Sequence, residues 1–227
     1  KVVLYAPTFR DTGDQSFLEE REKLEMLNGL LERSHAFFVV KVHPFTRISI
    51  PQGEYSHIIF VLPVTDSYPL LKLADVLVTD YSSIFVDFLL LDRPEIFFAY
   101  DLEKYVTKDR ELYFDYDEFT PGPKAYTFED FLKILEETLK REDHFKEARK
   151  RQRDLCFVHQ DGNAAKRVFS FLLSFILIIG AVSALSLDVQ ENEKEPVIIS
   201  ELKNPAIFDF VIDNTGNLDT IEIYSLV

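Results

Sequence analysis

Val76-Leu77-Val78-Thr79-Asp80-Tyr81-Ser82-Ser83-Ile84-Phe85-Val86-Asp87 is the stretch that decides the fold. Its apolar opening, Val76 to Val78, ends in Thr79-Asp80 and reads as a buried strand. Tyr81-Ser82-Ser83 reads as a polar turn, and the apolar run Ile84 to Leu91 as a helix. Such a turn offers hydroxyls and free backbone N–H groups at a helix N-terminus, where an anion is favoured. The simpler alternative is an N-cap, with Asp80 or Ser82 closing the helix and no ligand bound. In open α/β sheets ligands lie just past the carboxyl ends of the strands, where this turn falls.

Two further apolar runs end in the same way. Val2 to Ala6 leads into Pro7-Thr8-Phe9-Arg10-Asp11, and Phe37 to Val40 leads into Lys41-Val42-His43-Pro44. If these strands are parallel, Arg10, Lys41, His43, Ser82 and Ser83 gather on one rim. Cationic groups beside a helix N-terminus suit a phosphate or diphosphate. Asp87, one helical turn after Ser83, is placed to accept from a sugar or polyol hydroxyl. Ile58 to Leu62 and Glu95 to Ala99 are further strand candidates. Helices are expected over Phe17 to Arg33, Phe128 to Leu139 and Asp143 to Asp154, so strands and helices alternate as in an α/β protein.

The 227 residues are 47% hydrophobic and carry a net charge of −14. That size is ample for one core, and that acidity argues against general affinity for nucleic acid, so an anion site has to be a local basic pocket. A single cysteine, Cys156, excludes an internal disulfide and a cysteine-based zinc site, and fits a cytoplasmic main domain. Asp115, Asp117 and Glu118 lack the spacing of a calcium loop and read as a solvated acidic loop. His35, His57, His144 and His159 show no paired spacing. No metal and no cofactor is expected, and neither a P-loop nor a dinucleotide fingerprint is present.

Six segments occur in a telling order: YAPTFRD, KVHP, TDYSS with Asp87 following, RPEIFFAYDLEKY, LYFDYDEFTPGP and QDGNAAKRV. Over about residues 1–171 the chain resembles the C-terminal half of the CDP-glycerol glycerophosphotransferases, the teichoic-acid polymerase and primase family. It departs from the family at Glu111, where glycine is more frequent. The resemblance implies a GT-B fold of two Rossmann-like domains, with residues 1–168 as the C-terminal, donor-binding one. It also implies a preceding acceptor domain that holds the general base; the chain opens directly on a strand-like run with no Met. Donor and diphosphate contacts are implied for Arg10, Thr8, Lys41, Asp80, Ser82, Ser83 and Asp87. His43 is implied as the catalytic group, giving a hydrogen bond or positive charge to the donor phosphate as CMP leaves.

The expected activity is transfer of polyol phosphate from CDP-glycerol or a related CDP-polyol. The acceptor would be a polyol-phosphate or lipid-linked glycan hydroxyl, at the cytoplasmic face of the membrane. Two alternatives stay open: a non-catalytic membrane or surface module with a degenerate transferase domain, and another nucleotide-activated sugar transferase of capsule synthesis.

The C-terminal part is of another character. Phe169 to Leu187 has no charged residue, follows Lys166-Arg167 and passes through Val182-Ser183-Ala184, which resembles a signal-peptidase site. A hydrophobic helix of membrane or signal type is expected over 169–187; a buried helix closing the domain is the alternative. Residues 188–227 are expected to form an incomplete β region, with strands over 206–212 and 219–226 and a turn over 213–217. It resembles the opening hairpin of an archaeal surface domain, as if a truncated exported protein followed a transferase half.

Overall fold

The computed structural model describes residues 1–11, 16–140, 143–183, 187–188 and 213–214, with only the backbone described for 175–183, 187–188 and 213–214. The chain divides into two compact units, Lys1–Gln160 and Asp161–Val227.

The first unit is built on six parallel strands: β1 (Val2–Tyr5), β2 (Phe37–Val40), β3 (Ile58–Phe60), β4 (Val76–Thr79), β5 (Glu95–Phe98) and β6 (Lys124–Ala125). Their spatial order, β3-β2-β1-β4-β5-β6, is that of a doubly wound Rossmann-like sheet. Val3 pairs with Phe38 on one side and Val76 on the other. Strands covered on both faces read as uninterrupted apolar runs, which is why β1, β2, β4 and β5 stand out in the sequence.

Side-chain alternation splits the core into two layers. Val3, Tyr5, Phe38, Val40, Val78 and Phe98 face one side, against α1 (Arg21–Arg33) and α6 (Phe128–Lys140). The helices meet them with Leu24, Leu27, Leu30 and Leu31 and with Phe128, Phe131, Leu135 and Leu139. Leu4, Ala6, Leu77 and Phe97 face the other side, with Leu71 of α2 (Ser67–Leu73) and Phe85 and Phe88 of α3 (Ile84–Phe88). The remaining α-helices among the described residues of this unit are α4 (Leu102–Lys104), which runs on into a π turn over Tyr105–Asp109, α5 (Tyr116–Phe119) and α7 (Lys146–Cys156).

Three helices differ from the sequence reading. The one expected over Asp143 to Asp154 runs from Lys146 to Cys156. The helix expected from Phe17 starts at Arg21, because Ser16 caps a separate 3-10 turn over Phe17–Glu19. The run Ile84 to Leu91 is not one helix. After α3 it tightens into a 3-10 turn, Leu89–Leu91, and Asp92 ends it in the left-handed region with φ 50°.

In the second unit, α8 (Ala164–Ser183) follows a turn in which Arg167 pairs with Asp161. The expected hydrophobic helix is thus helical backbone as far as Ser183. Among the described residues no helix is long and apolar enough to cross a membrane. Leu187–Asp188 pairs antiparallel with Asp213–Asn214, so these last two residues are extended where the sequence pattern reads a turn. The strand readings over 206–212 and 219–226 lie outside the described residues.

Candidate functional site

The order of strands reverses between β1 and β4, so the loops after these two strands part to opposite sides and leave a crevice. Thr8 and Asp80 meet there. The Thr8 backbone N–H and hydroxyl both donate to Asp80 Oδ1, at 2.8 and 2.6 Å, and the Tyr81 N–H donates to the same oxygen at 2.6 Å. Asp80 therefore knots two strand ends together. It does not cap α3: Ser83 stands at the cap position without a side-chain bond, and the Ile84 N–H reaches Ser82 Oγ at 3.4 Å.

Arg10 is placed differently from the open phosphate clamp that its strand-end position suggests. It is only 3% exposed, and its guanidinium points inward. Nε and Nη2 donate to the two oxygens of Asp101 at 2.8 and 2.9 Å, Nη1 donates to the Thr8 carbonyl at 2.6 Å, and Nη2 lies 2.8 Å from Asp80 Oδ2. The rings of Tyr81 and Tyr105 lie 4.8 and 5.1 Å from its guanidinium carbon. Burial works against the charge, yet the Asp101 and Asp80 carboxylates outweigh it and raise the Arg10 pKa. The physical reason for the inward position is pairing. Asp80 and Asp101 are buried, and one guanidinium fork reaches both, although a single positive charge offsets only one of the two carboxylates.

Around this ion cluster lie the groups that do face outward. His43 is exposed beyond the end of β2, its ring against those of Phe9 and Phe45 at 5.4 and 5.2 Å. Ser83 is exposed and Ser82 half-buried. Asp87 is half-buried on α3 and accepts from the Tyr68 hydroxyl at 3.3 Å. Lys41 is buried; its Nζ donates to the carbonyls of Val42 and Pro63 at 3.0 and 2.8 Å, and burial lowers its pKa. It is a cation held by carbonyl dipoles beneath the rim.

Two hollows adjoin these groups. One of about 240 Å³ is lined by Thr8, Phe9, Arg10, Phe45 and Arg47, among others. The other, of about 300 Å³, is lined by Ser83, Tyr81, Phe114, Tyr116 and Phe119 with Asp80 at its base. Tyr81 stacks on Tyr105 with centroids 4.0 Å apart, and its hydroxyl donates to Asp101 at 2.9 Å. Burial, followed by the Asp101 charge, pushes the Tyr81 phenol up, so it stays a donor.

Asp101 and Tyr81 are the residues that the sequence reading leaves out. Asp101 follows an apolar strand, β5, as Asp80 follows β4, so the strand-end rule that finds Asp80 also reaches Asp101. The acidic loop offers no ligand set of its own: Asp115 accepts from the Asp117 and Glu118 N–H groups and caps α5.

A Rossmann-like domain with an ion-paired switch point and an outward rim of His43, Ser82, Ser83 and Asp87 is the class that this fold and site define. Residues 1–174 match the model of the CDP-glycerol:poly(glycerophosphate) glycerophosphotransferases, and the chain belongs to that family. The teichoic acid poly(ribitol-phosphate) polymerase of Bacillus spizizenii is 40% identical over 141 residues, 60% of this chain and 22% of the relative. The teichoic acid ribitol-phosphate primase of the same organism is 33% identical over 183 residues, 78% of this chain and 44% of the relative. A solved variant of the wall teichoic acid polymerase TagF superposes with TM-score 0.63 at 28% identity, over 78% of this chain and 44% of that one. TagF has also been solved after soaking with CDPG. The chain spans less than half the length of each of these relatives.

Proposed function

We propose that the Lys1–Gln160 unit binds a CDP-polyol, CDP-glycerol in the first instance, and serves transfer of the polyol phosphate to an acceptor hydroxyl of a teichoic-acid-like polymer. The observation that carries this reading is the rim itself. His43 follows β2 and Ser82 and Ser83 follow β4, on either side of β1, with the Ser83 hydroxyl and His43 Nε2 bonded by no described residue, beside a buried Lys41 and the ion-paired Arg10–Asp80–Asp101 cluster. A diphosphate laid across it meets hydroxyl and imidazole donors; with α3 only five residues long, side chains rather than a long helix dipole supply the attraction.

In the reaction the acceptor hydroxyl gives its proton to a base outside this unit, its oxygen bonds to the β-phosphorus, and the bridging P–O bond breaks with its electron pair leaving on CMP. His43 steadies that departing charge by hydrogen bonding to phosphate oxygen, and positioning supplies much of the rate. Thr8 and Asp80 tie the two strand ends to each other at the crevice. Arg10 acts through them as a positioning residue, and Asp87 takes a donor hydroxyl. A location at the cytoplasmic membrane face, near a lipid-linked acceptor, belongs to the same proposal.

Isothermal calorimetry of the whole chain with CDP-glycerol tests it. Binding is expected, and replacing Ser82 and Ser83 together with Ala weakens it by roughly tenfold, the equivalent of one or two neutral hydrogen bonds. No heat with either CDP or CDP-glycerol sinks the reading.

A further inference from the structure

We propose that the turn His43-Pro44-Phe45-Thr46 is a tautomer lock, in which the Phe45 backbone N–H holds the neutral His43 ring with its proton on Nε2. Pro44 and Phe45 are then positioning residues for the rim. The inference rests on the donor reading above only for the purpose of the lock, not for its existence.

The sequence builds the turn. Proline presets the φ that position i+1 of a β-turn requires, and Pro44 stands at that position. The Thr46 N–H donates to the His43 carbonyl at 2.9 Å and closes the turn. With Pro44 fixed, the N–H of Phe45 at position i+2 is aimed back at the His43 side chain and lies 3.2 Å from Nδ1. An N–H cannot donate to another N–H, so Nδ1 carries the lone pair and the ring proton sits on Nε2.

Packing restricts the ring further. The centroids of Phe9 and Phe45 lie 5.4 and 5.2 Å from that of the imidazole and 6.1 Å from each other, so the three rings form a triangle and His43 is open on its far side. No described residue bonds Nε2, and His43 is exposed. The ring thus presents one N–H outward. The neutral ring meets an anion as a donor, and at Nε2 it has no lone pair with which to take the proton of an acceptor hydroxyl. This separates the support of a leaving phosphate from the work of a general base.

Nitrogen-15 histidine spectra of the full chain test the lock, with His43 assigned by the signal lost in His43→Gln. The expected wild-type pattern is a single tautomer, protonated at Nε2. Phe45→Pro removes the donating N–H and is expected to give a mixture of tautomers. Phe45→Leu keeps the N–H and is expected to restore the single pattern. If Phe45→Pro fails to fold, Pro44→Gly, which frees the φ of the turn, carries the same expectation of a mixture. A wild-type ring that already averages between tautomers, or a Phe45→Pro ring indistinguishable from wild type, overturns the proposal. CDP-glycerol added to the wild type separates the lock from the donor reading. A shifted Nε2–H signal supports both, whereas a single tautomer that CDP-glycerol leaves unmoved overturns the donor role of His43 and leaves the lock standing.

Discussion

Strand β5 has a buried arginine beyond each end, and the two are satisfied to different degrees. Past its carboxyl end, Arg10 donates to both oxygens of Asp101 and to a carbonyl, packs on the tyrosine rings and lies 2.8 Å from Asp80 Oδ2, an oxygen that otherwise has no hydrogen-bond partner. Near its amino end, Arg149 of α7 pairs with Asp143 and lies 3.5 Å from Asp92. There its Nε and both carboxyl oxygens of Glu95 have no hydrogen-bond partner. A hollow of about 110 Å³ adjoins them. Gly122 packs so closely that an added Cβ would lie 2.3 Å from the Glu95 carbonyl oxygen, so this end is tight in backbone yet incomplete in polar contacts. Burial lifts the Glu95 carboxyl well above its ordinary range, against the pull of Arg149. The contrast teaches where the fold spends its polar groups. The end that carries the rim is cross-bonded into one body. At the other end burial favours the protonated form of an acid that no hydrogen bond satisfies.

The largest expected effect breaks the first half of that contrast. Arg10→Ala strands Asp80 and Asp101, whose side chains are 1% and 10% exposed. Removing one partner of a buried pair costs about 3–5 kcal/mol. Arg149→Ala strands Asp143 and Asp92, which are 28% and 31% exposed and reach water. Its cost is expected nearer 1–3 kcal/mol, the range for a group left partly unpaired. Urea unfolding of the two variants side by side decides the matter. Equal losses would mean that the ends are alike.

A second test addresses the protonated acid. The folded pKa of Glu95 lies above its unfolded value, so the unfolded chain releases this proton first as pH rises. Stability from this group is therefore full below the unfolded value of 4.5 and falls as pH climbs from there toward the folded pKa. Glu95→Gln keeps the shape of the neutral acid without a proton to lose. At pH 7 it is expected to stabilise, by about 1.4 kcal/mol for each pH unit above 4.5 up to the folded pKa. Near pH 4 the two proteins should unfold together. A variant less stable at pH 7 would show that Glu95 is ionised and paired.

The same contrast explains what the sequence discloses. The buried parallel strands were legible because β1 and β2 are apolar throughout and β4 and β5 are apolar but for Thr79 and Glu95, and the rim was legible because polar residues follow those runs. β6 was not, because Lys124–Ala125 is too short to carry a pattern and is held by pairing with Phe97 and Phe98. α2 was obscured by Pro69, which its first turn accommodates behind the Asp66 cap. His43 kept its outward place. Arg10 did not, because its partner Asp101 is 91 residues away in sequence and only the closed sheet brings them together. Local pattern reports which residues end a strand; it does not report which of them face one another across it.

The smallest expected effect probes how redundant the cross-bonded end is. The Tyr81 hydroxyl donates to Asp101 Oδ1 at 2.9 Å, but Arg10 Nη2 donates to the same oxygen at the same distance. In Tyr81→Phe the ring still stacks on Tyr105 and still lies 4.8 Å from the Arg10 guanidinium carbon. Only one donor is lost, and the oxygen that it served keeps another. The expected cost is about 0.5–1.5 kcal/mol, the net worth of a single hydrogen bond. A double-mutant cycle with Asp101→Asn measures the coupling directly. If Tyr81→Phe alone unfolds the protein as readily as Arg10→Ala, the tyrosine carries what is assigned here to the ion cluster, and the carboxyl end of the sheet is no better insured than the amino end.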